Sequence, residues 1–117
     1  MIGNMHGGCL SAFCDHVLGV VMYPVMPEGS WAATTEFKIN LLKPVSGGTC
    51  TASAEIISMS RTTAVVRIDI TNDDRLVAVA QGTCLIMTPK SRAQRFELVS
   101  PPALIFGPAH GRSALRQ

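Results

Sequence analysis

The first pattern in the chain is an apolar stripe with a helical period. Between about residues 8 and 22, apolar residues recur at spacings of three and four: Leu10, Phe13, Cys14, Val17 and Val21. This spacing places them on one side of an α-helix. Pro24 and Pro27 follow, and proline ends helices because it has no amide hydrogen to donate. The pattern therefore predicts one helix.

Four segments with a period of two follow the helix, as expected of strands with one buried face. They are predicted at residues 31–42, 49–59, 63–71 and 75–87, with polar turns between them. The last segment is apolar on both faces, which predicts a strand covered on both sides. One helix followed by antiparallel strands indicates an α+β fold, in which the helix packs against a single curved sheet.

The length of 117 residues favours one domain. We assign residues 1–87 to this domain and residues 88–117 to a C-terminal tail, because the tail contains four prolines and no sustained period. The tail carries five basic residues against Glu97 alone, whereas residues 1–87 carry five basic and seven acidic ones. The tail is thus distinctly basic and the domain mildly acidic.

The composition narrows the class of protein. The chain is 47% hydrophobic and 15% charged, which argues against disorder over most of its length. So small and apolar a domain is expected to cover part of its surface with another subunit, in a homodimer or homotetramer. The net charge of +2 gives no indication of nucleic-acid binding. The apolar runs are too short to span a membrane and no secretory signal is visible, so we expect a cytoplasmic protein.

The four cysteines, Cys9, Cys14, Cys50 and Cys84, form no CxxC pair and have no histidine at metal-binding spacing. We therefore predict no metal site and four buried, reduced thiols. A cross-strand contact between Cys50 and Cys84 is the alternative.

Three places in the sequence carry candidate chemistry. His6-Gly7-Gly8 lies where the helix begins, and free backbone N–H groups at a helix start can hold an oxyanion. Asp15 lies in mid-helix among small residues, as a general base or nucleophile could. Thr34, early in the first strand, could position a water molecule. Taken singly, each has a simpler explanation: a bare turn, a solvated carboxylate and a residue that favours strands.

Helix geometry limits how Gly7 and Asp15 could act together. They are eight residues apart, which is roughly 12 Å along one helix axis. A single carbonyl group cannot lie about 3 Å from both. If both act on one substrate, they must come from different subunits whose helices face each other.

The combination of motifs resembles the PaaI-like branch of the hot-dog acyl-CoA thioesterases. The resemblance covers residues 4–87 and rests on His6-Gly7-Gly8, Asp15, residues 34–44 (TTEFKINLLKP), residues 60–62 (SRT) and residues 80–83 (AQGT). It implies a hot-dog fold, in which a curved antiparallel sheet wraps one long helix and continues across a dimer. The spacing from the HGG to the aspartate and on to the Lys-Pro strand end is its most specific part.

The resemblance also implies roles for individual residues. The Gly7 amide would polarise the thioester carbonyl, with His6 and Gly8 shaping the turn. Asp15 of the partner subunit would act as base or nucleophile, and Thr34 would help hold the attacking water. Arg61 would meet the phosphates of coenzyme A, although an exposed turn arginine without a partner fits equally well. The basic tail could touch the same phosphates or remain solvated.

The sequence departs from the family pattern in three places. Family members have some tens of residues before the HGG, whereas this sequence has five, so either the true start lies upstream or the N-terminus is shortened and an edge element is lost. Ser60 replaces a glycine before Arg61, and Arg75 replaces a glycine after Asp74.

We therefore expect an acyl-CoA thioesterase that needs no cofactor, since coenzyme A is part of the substrate. The shortened N-terminus favours one alternative, a non-catalytic hot-dog protein that binds acyl-CoA or serves as an oligomer partner. A hydratase of the same fold is another, supported only by His16 beside Asp15. Aromatic, short-chain and medium-chain acyl groups all fit the sequence, as does an acyl-carrier protein in place of coenzyme A.

Overall fold

The apolar stripe near the start of the chain forms a helix that precedes four strands. The structure is a computed structural model and describes residues 3–89. Helix α1 spans Gly7–Val20, and strands β1 to β4 span Trp31–Leu41, Cys50–Met59, Thr63–Asn72 and Arg75–Met87. The predicted α+β class is confirmed, and each strand boundary falls within one residue of its prediction. The predicted tail lies outside the described residues, apart from residues 88 and 89.

The four strands form one antiparallel sheet in the order β1-β4-β3-β2. Turns join β2 to β3 and β3 to β4, whereas β1 pairs with β4, the last strand. In the described part of the chain, β1 and β2 are therefore the edges of the sheet. The helix contacts all four strands. This is the hot-dog arrangement implied by the resemblance.

The hydrophobic core fills the space between α1 and the sheet. The helix contributes Leu10, Cys14 and Leu18, and Met22 follows from the next turn. The predicted stripe is confirmed in part, because Val17 and Val21 are only half-buried and Leu18 lies deeper than either. Burying one large apolar side chain stabilises the fold by about 1.5–3 kcal/mol, so this i, i+4 series anchors the helix to the sheet.

Strand β4 lies in the middle of the sheet, but it is not covered on both faces as predicted. Its inner residues, among them Ala78, Ala80 and Cys84, are buried beneath the helix. On the outer face, Val79 and Leu85 are only half-buried and Gln81 is exposed. The apolar outer residues reflect the central position of the strand, where neighbouring side chains cover one another.

The turn between β3 and β4 compensates for its missing glycine. Asp73 and Asp74 both adopt positive φ, at 46° and 68°, between the paired residues Asn72 and Arg75. A two-residue hairpin with positive φ at both positions matches the twist of the strands. Aspartate tolerates this region better than most residues do.

Gly82 allows the helix and two strands to approach one another closely. A Cβ atom at this position would lie 2.6 Å from Phe37 Cβ, 2.8 Å from the Glu36 carbonyl oxygen and 2.9 Å from Leu18 Cδ1. The first two neighbours are held by β1, so they cannot give way cheaply. The glycine of the AQGT motif is therefore required by packing.

The four thiols are free, but they are not all buried as predicted. Cys14 and Cys84 are fully buried, Cys50 is half-buried and Cys9 is exposed. The alternative contact between Cys50 and Cys84 is wrong, because β3 separates their strands and they pair with its opposite ends. Burial raises the pKa of the Cys14 thiol and is the largest cause of the raised pKa of Cys84.

We expect Gly82→Ala to destabilise the fold by about 1–3 kcal/mol, because the new methyl group overpacks the helix–sheet contact. Gly19→Ala is the matched control, since nothing lies within 4 Å of a Cβ atom there. Replacing this helical glycine should stabilise by up to about 1 kcal/mol. Urea unfolding of both variants measures the difference, and equal stabilities would refute the packing requirement.

We also expect the free energy of unfolding to fall as the pH rises past about 9, the ordinary thiol value. The buried thiols keep their protons there while the unfolded chain loses its own, so the unfolded state binds fewer protons and stability declines. Urea midpoints at about pH 8 and pH 10 would be compared for the unaltered chain and Cys14→Ala. The variant should lose less stability over this interval, and an equal or larger loss would contradict the assignment.

Candidate active site

The start of α1 leaves one backbone donor free. His6 is the N-cap residue, and its Nδ1 atom accepts a hydrogen bond of 2.9 Å from the Gly8 amide. The Cys9 amide donates to the His6 carbonyl oxygen, also at 2.9 Å. Within residues 3–89, the Gly7 amide donates to no protein atom. Of the first three amides of the helix, it alone is available to a ligand.

The Gly7 end of the helix opens into a small cleft of about 240 Å³. The cleft is also lined by Met5, by Leu10 and by residues 41–45, which comprise the last residue of β1 and the segment that follows it. The Leu41 side chain packs directly against the place where a Cβ atom of residue 7 would lie. Glycine therefore lets the backbone of the helix start lie against the end of β1.

Asp15 and Thr34, two of the predicted site residues, line one cavity of about 690 Å³. The cavity lies between the exposed side of α1 and the first half of β1. Its other lining residues are His16, Gly19, Val20, Tyr23, Ala32, Thr35, Glu36 and Phe37. Asp15 is exposed, and its carboxylate forms no hydrogen bond or ion pair with another described residue. Its oxygen atoms are therefore free to contact a ligand.

A β-bulge turns Thr34 toward the helix. Thr34 pairs with Cys84 and Glu36 pairs with Thr83, so Thr35 is an extra residue in β1. The Thr35 hydroxyl donates to the Thr83 carbonyl oxygen at 3.1 Å. A bulge shifts the alternation by one residue. Strict alternation from Phe37 would have pointed Thr34 away from the helix.

The bulge also fixes the outward side of the same strand. The Glu36 side chain accepts a hydrogen bond of 2.7 Å from the Thr83 hydroxyl. The cavity that contains Asp15 has the Asp15 carboxylate in its lining and no lysine or arginine. It is consequently suited to a neutral group rather than to phosphates.

Cys84, which the sequence analysis left without a role, lies beneath this pair. Its pKa is raised mainly by burial and further by the negative charge of Asp15, while a hydrogen bond from the Thr34 hydroxyl lowers it. The thiol donates to the Leu18 carbonyl oxygen at 3.5 Å. A cysteine next to AQGT resembles ordinary core filling, so no sequence signal distinguished it.

Gly7 and Asp15 do not share a cavity. Gly7 is the first residue of α1 and Asp15 follows eight residues later, so roughly 12 Å along the helix axis separates them. Gly7 belongs to the smaller cleft and Asp15 to the larger cavity. The separation inferred from the sequence is therefore present in the structure. His16, which the sequence analysis connected only with the hydratase alternative, also lines the Asp15 cavity.

Arg61 is exposed in the turn between β2 and β3 and lines neither of these cavities. Ser60 organises this turn, because its hydroxyl oxygen accepts from the Thr62 and Thr63 amides at 3.3 and 3.1 Å. The serine thus supports the turn where the family has a glycine. Among residues 3–89, the Arg61 side chain makes no hydrogen bond or salt bridge.

Metal-binding clusters and membrane-spanning helices are both absent from the described part of the chain. Residues 3–89 contain no cluster of three or more His, Cys, Asp or Glu side chains that could hold a metal ion. Over the same residues, α1 is neither long nor apolar enough to qualify as a membrane span.

Comparison with solved structures finds similar hot-dog proteins. A thioesterase from Haemophilus influenzae shares 27% sequence identity and a TM-score of 0.71, over 74% of this chain and 62% of that one. A hypothetical thioesterase from Streptococcus pneumoniae, solved with coenzyme A, is 34% identical with a TM-score of 0.67, over 76% and 71%. A Bacillus halodurans protein, also solved with coenzyme A, is 26% identical with a TM-score of 0.70, over 74% and 58%.

The chain thus spans 62% of the length of the Haemophilus protein and 58% of the Bacillus protein. Comparison with curated protein sequences finds no significant match. A family model described as the Thioesterase superfamily matches residues 2–79, which is more than half of the chain. This match and the 34% identity to the Streptococcus protein confirm the resemblance, and the chain belongs to the thioesterase superfamily.

Proposed function

We propose that the protein hydrolyses an acyl-coenzyme A thioester to the free acid and coenzyme A. The observation that carries the proposal is the pairing of Asp15 with Thr34 in one cavity, while the free Gly7 amide lies at the start of the same helix. Family membership and the two similar structures solved with coenzyme A support the substrate class.

The proposed reaction begins with a water molecule between Asp15 and Thr34. The Asp15 carboxylate accepts a proton from the water as its oxygen attacks the thioester carbon, and the carbonyl oxygen becomes an oxyanion. The Gly7 amide donates a hydrogen bond to this oxyanion. Collapse of the intermediate breaks the C–S bond, and the leaving thiolate takes up the proton. Direct attack by the carboxylate, followed by hydrolysis of the resulting anhydride, is the variant in which Asp15 is the nucleophile.

We propose that each site uses two chains. A separation of roughly 12 Å along one helix prevents Gly7 and Asp15 of one chain from serving the same carbonyl group. Two copies whose helices run side by side in opposite directions would bring Gly7 of one chain opposite Asp15 of the other. The exposed apolar side chains Val20, Tyr23 and Trp31 near this cavity agree with a covered surface in such a homodimer or homotetramer.

The proposed reaction requires no cofactor, because the thioester is itself an activated acyl group. His6 keeps the Gly8 amide occupied and so leaves Gly7 as the donor. We assign the phosphates of coenzyme A to Arg61 rather than to the Asp15 cavity, because the Asp15 carboxylate would repel them.

The first test measures thiol release from acetyl-CoA, hexanoyl-CoA and benzoyl-CoA. We expect turnover of at least one thioester, and a loss of about 10²–10⁴-fold in Asp15→Asn, since the amide cannot accept the proton. Thiol release that survives in the variant would refute the role of Asp15. Binding without release from any thioester would identify a non-catalytic acyl-CoA-binding protein. An absorbance change on crotonyl-CoA without thiol release would identify a hydratase.

The second test concerns the Gly7 amide. Gly7→Pro removes the N–H group at a helix position that accepts proline, and should lower kcat by about 10²–10³-fold. Gly7→Ala introduces a comparable contact with Leu41 but retains the amide, so it serves as the matched control and should retain most activity. Similar losses of kcat in both variants would show that crowding, and not the donor, matters.

Mixing the inactive variants tests whether the site uses two chains. If Gly7 and Asp15 come from different subunits, a heterodimer of Gly7→Pro and Asp15→Asn chains contains one intact site. Refolding equal amounts together should restore about a quarter of the unaltered activity, because half of the dimers are mixed and each has one working site of two. No recovery, despite mixed dimers detected by mass spectrometry, would exclude the arrangement.

The fourth test concerns Arg61. We expect Arg61→Ala to raise KM for the preferred acyl-CoA by about 10-fold, the equivalent of one charge-assisted contact. The N-acetylcysteamine thioester of the same acid has no phosphates, so its kinetics should not change. Arg67→Ala is the control, because Arg67 is also exposed but pairs with Glu55 at 2.8 Å. An unchanged KM in Arg61→Ala would remove the assignment.

A further inference from the structure

Gly19 lies near the end of α1, at a position where the fold itself does not require glycine. Its φ is not positive, unlike those of Gly3, Gly29 and Gly48, so no left-handed turn depends on it. Outside its own helix backbone and its neighbours in the chain, no atom lies within 4 Å of the place where its Cβ atom would be. Glycine stabilises a helix less than alanine does. The fold would therefore be more stable with a side chain here, and the glycine is explained by something other than packing.

The open space in front of Gly19 is the cavity of about 690 Å³ that contains Asp15 and Thr34. Asp15 and Gly19 are one helical turn apart, which puts them on the same side of α1 and about 6 Å apart along its axis. Side chains on a helix lean toward its N-terminus, so a side chain at residue 19 would extend over the space toward Asp15. Glycine keeps that part of the cavity open.

The lining beside Gly19 offers apolar surface. Val20 and Tyr23 come from the end of α1 and the turn after it, and Ala32 and Phe37 come from β1. The Val20 and Tyr23 side chains are exposed, so their surface is available to a ligand. No lysine or arginine lines the cavity, so a phosphate group has no cation to meet there. The surroundings of Gly19 therefore suit a hydrocarbon group, which binds by losing its contact with water.

The proposed pairing of two chains leaves this space free of the partner helix. In that arrangement the start of one helix lies level with Asp15 of the other chain. The two helices run in opposite directions, so the partner helix extends from this level away from Gly19. Gly19 thus lies about 6 Å beyond the start of the partner helix.

We propose that Gly19 is a specificity-determining residue, which leaves room for the acyl group of the substrate beside Asp15. This inference rests on the proposed thioesterase function. The acyl group extends from the carbonyl carbon at Asp15 along α1, past Gly19 and toward Tyr23, with β1 on its other side. An acetyl group ends near Asp15, whereas hexanoyl and benzoyl groups reach the space that Gly19 leaves open. The substrates are therefore thioesters of apolar acyl groups larger than acetyl.

The first experiment compares acetyl-CoA, hexanoyl-CoA and benzoyl-CoA as substrates of the unaltered protein. We expect kcat/KM for the better of the two larger thioesters to exceed that for acetyl-CoA by at least about 10-fold, because binding of the hydrocarbon contributes to the rate. A smaller difference, or a preference for acetyl-CoA, would overturn this inference and leave the thioesterase function standing. No thiol release from any of the three refutes the proposed function and the inference with it.

Gly19→Leu places a side chain in the proposed acyl space and keeps a strong helix former at the position. The ratio of kcat/KM for the larger thioester to kcat/KM for acetyl-CoA should fall by at least about 10-fold, because the acyl group and the leucine compete for one space. This ratio does not depend on the fraction of protein that is folded. Gly19→Ala, which the fold tolerates, should shift the ratio in the same direction by a smaller factor. An unchanged ratio in Gly19→Leu would overturn the proposal.

Gly47→Leu is the matched control for this substitution. Gly47 also has open space around its Cβ position and no positive φ, but it lies in the loop between β1 and β2 and does not line the cavity. We expect its ratio to equal that of the unaltered protein. A fall in Gly47→Leu as large as that in Gly19→Leu would show that the effect is not local to the cavity.

Free coenzyme A separates the acyl group from the rest of the substrate. It carries no acyl group, so its inhibition constant should change by less than about twofold in Gly19→Leu. A rise in this constant that matches the loss of kcat/KM would show that the pantetheine arm passes Gly19, and would overturn the proposal. Dissociation of the oligomer in Gly19→Leu, measured by size-exclusion chromatography, would do the same, because Gly19 would then serve the contact between chains.

Discussion

The site depends on how closely α1 lies on the sheet at Gly82. Leu18 packs over this glycine, and Phe37 and the Glu36 carbonyl group close it from the side. Leu18 is three residues after Asp15, so the contact sets the height of the carboxylate above the sheet. The same contact lies beside the bulge in β1. One tight packing point thus fixes both the helix that carries Asp15, the proposed base, and the strand that carries the Thr34 hydroxyl.

The bulge converts this packing into a usable site. If β1 alternated strictly from Phe37, Thr35 would face the helix and Thr34 would lie on the far face with Glu36 and Lys38. The bulge therefore decides which of the two threonines faces the helix. Bulges near sheet edges commonly re-aim side chains in this way. The irregularity is therefore part of the site and not a flaw in the sheet.

The sequence was sufficient for most of the fold, because periodicity in hydrophobicity reports directly on burial. The stripe through Leu10 and Cys14 predicted the helix, and alternation predicted all four strands to within one residue. The separation of Gly7 from Asp15 followed from helix geometry alone. The proposed roles of these two residues came from the resemblance, since neither a Gly-Gly turn nor a mid-helix aspartate is specific by itself.

Two features of the site could not be predicted from pattern. The bulge at Thr35 has no glycine or proline to indicate it, and strict alternation from Phe37 would have placed Thr34 on the wrong face. Cys84 looked like an ordinary core residue in the sequence, because its neighbours are set by the pairing of β4 with β1 and by the position of the Leu18 carbonyl group near the end of α1. Contacts of this kind join residues 34, 84 and 18, which are distant in the chain. Local sequence rules carry no information about them.

The free amide at residue 7 has a consequence for how the protein can evolve. A main-chain donor is encoded by the path of the backbone, so nineteen of the twenty amino acids would retain it in some form. The carboxylate at residue 15 has no such redundancy, since only aspartate and glutamate supply one. Random mutation would therefore remove the proposed base at residue 15 far more readily than the proposed amide donor at residue 7. Lineages of this fold that lose their acid would still inherit a ready anion-binding helix end, a natural starting point for proteins that hold acyl groups without cleaving them.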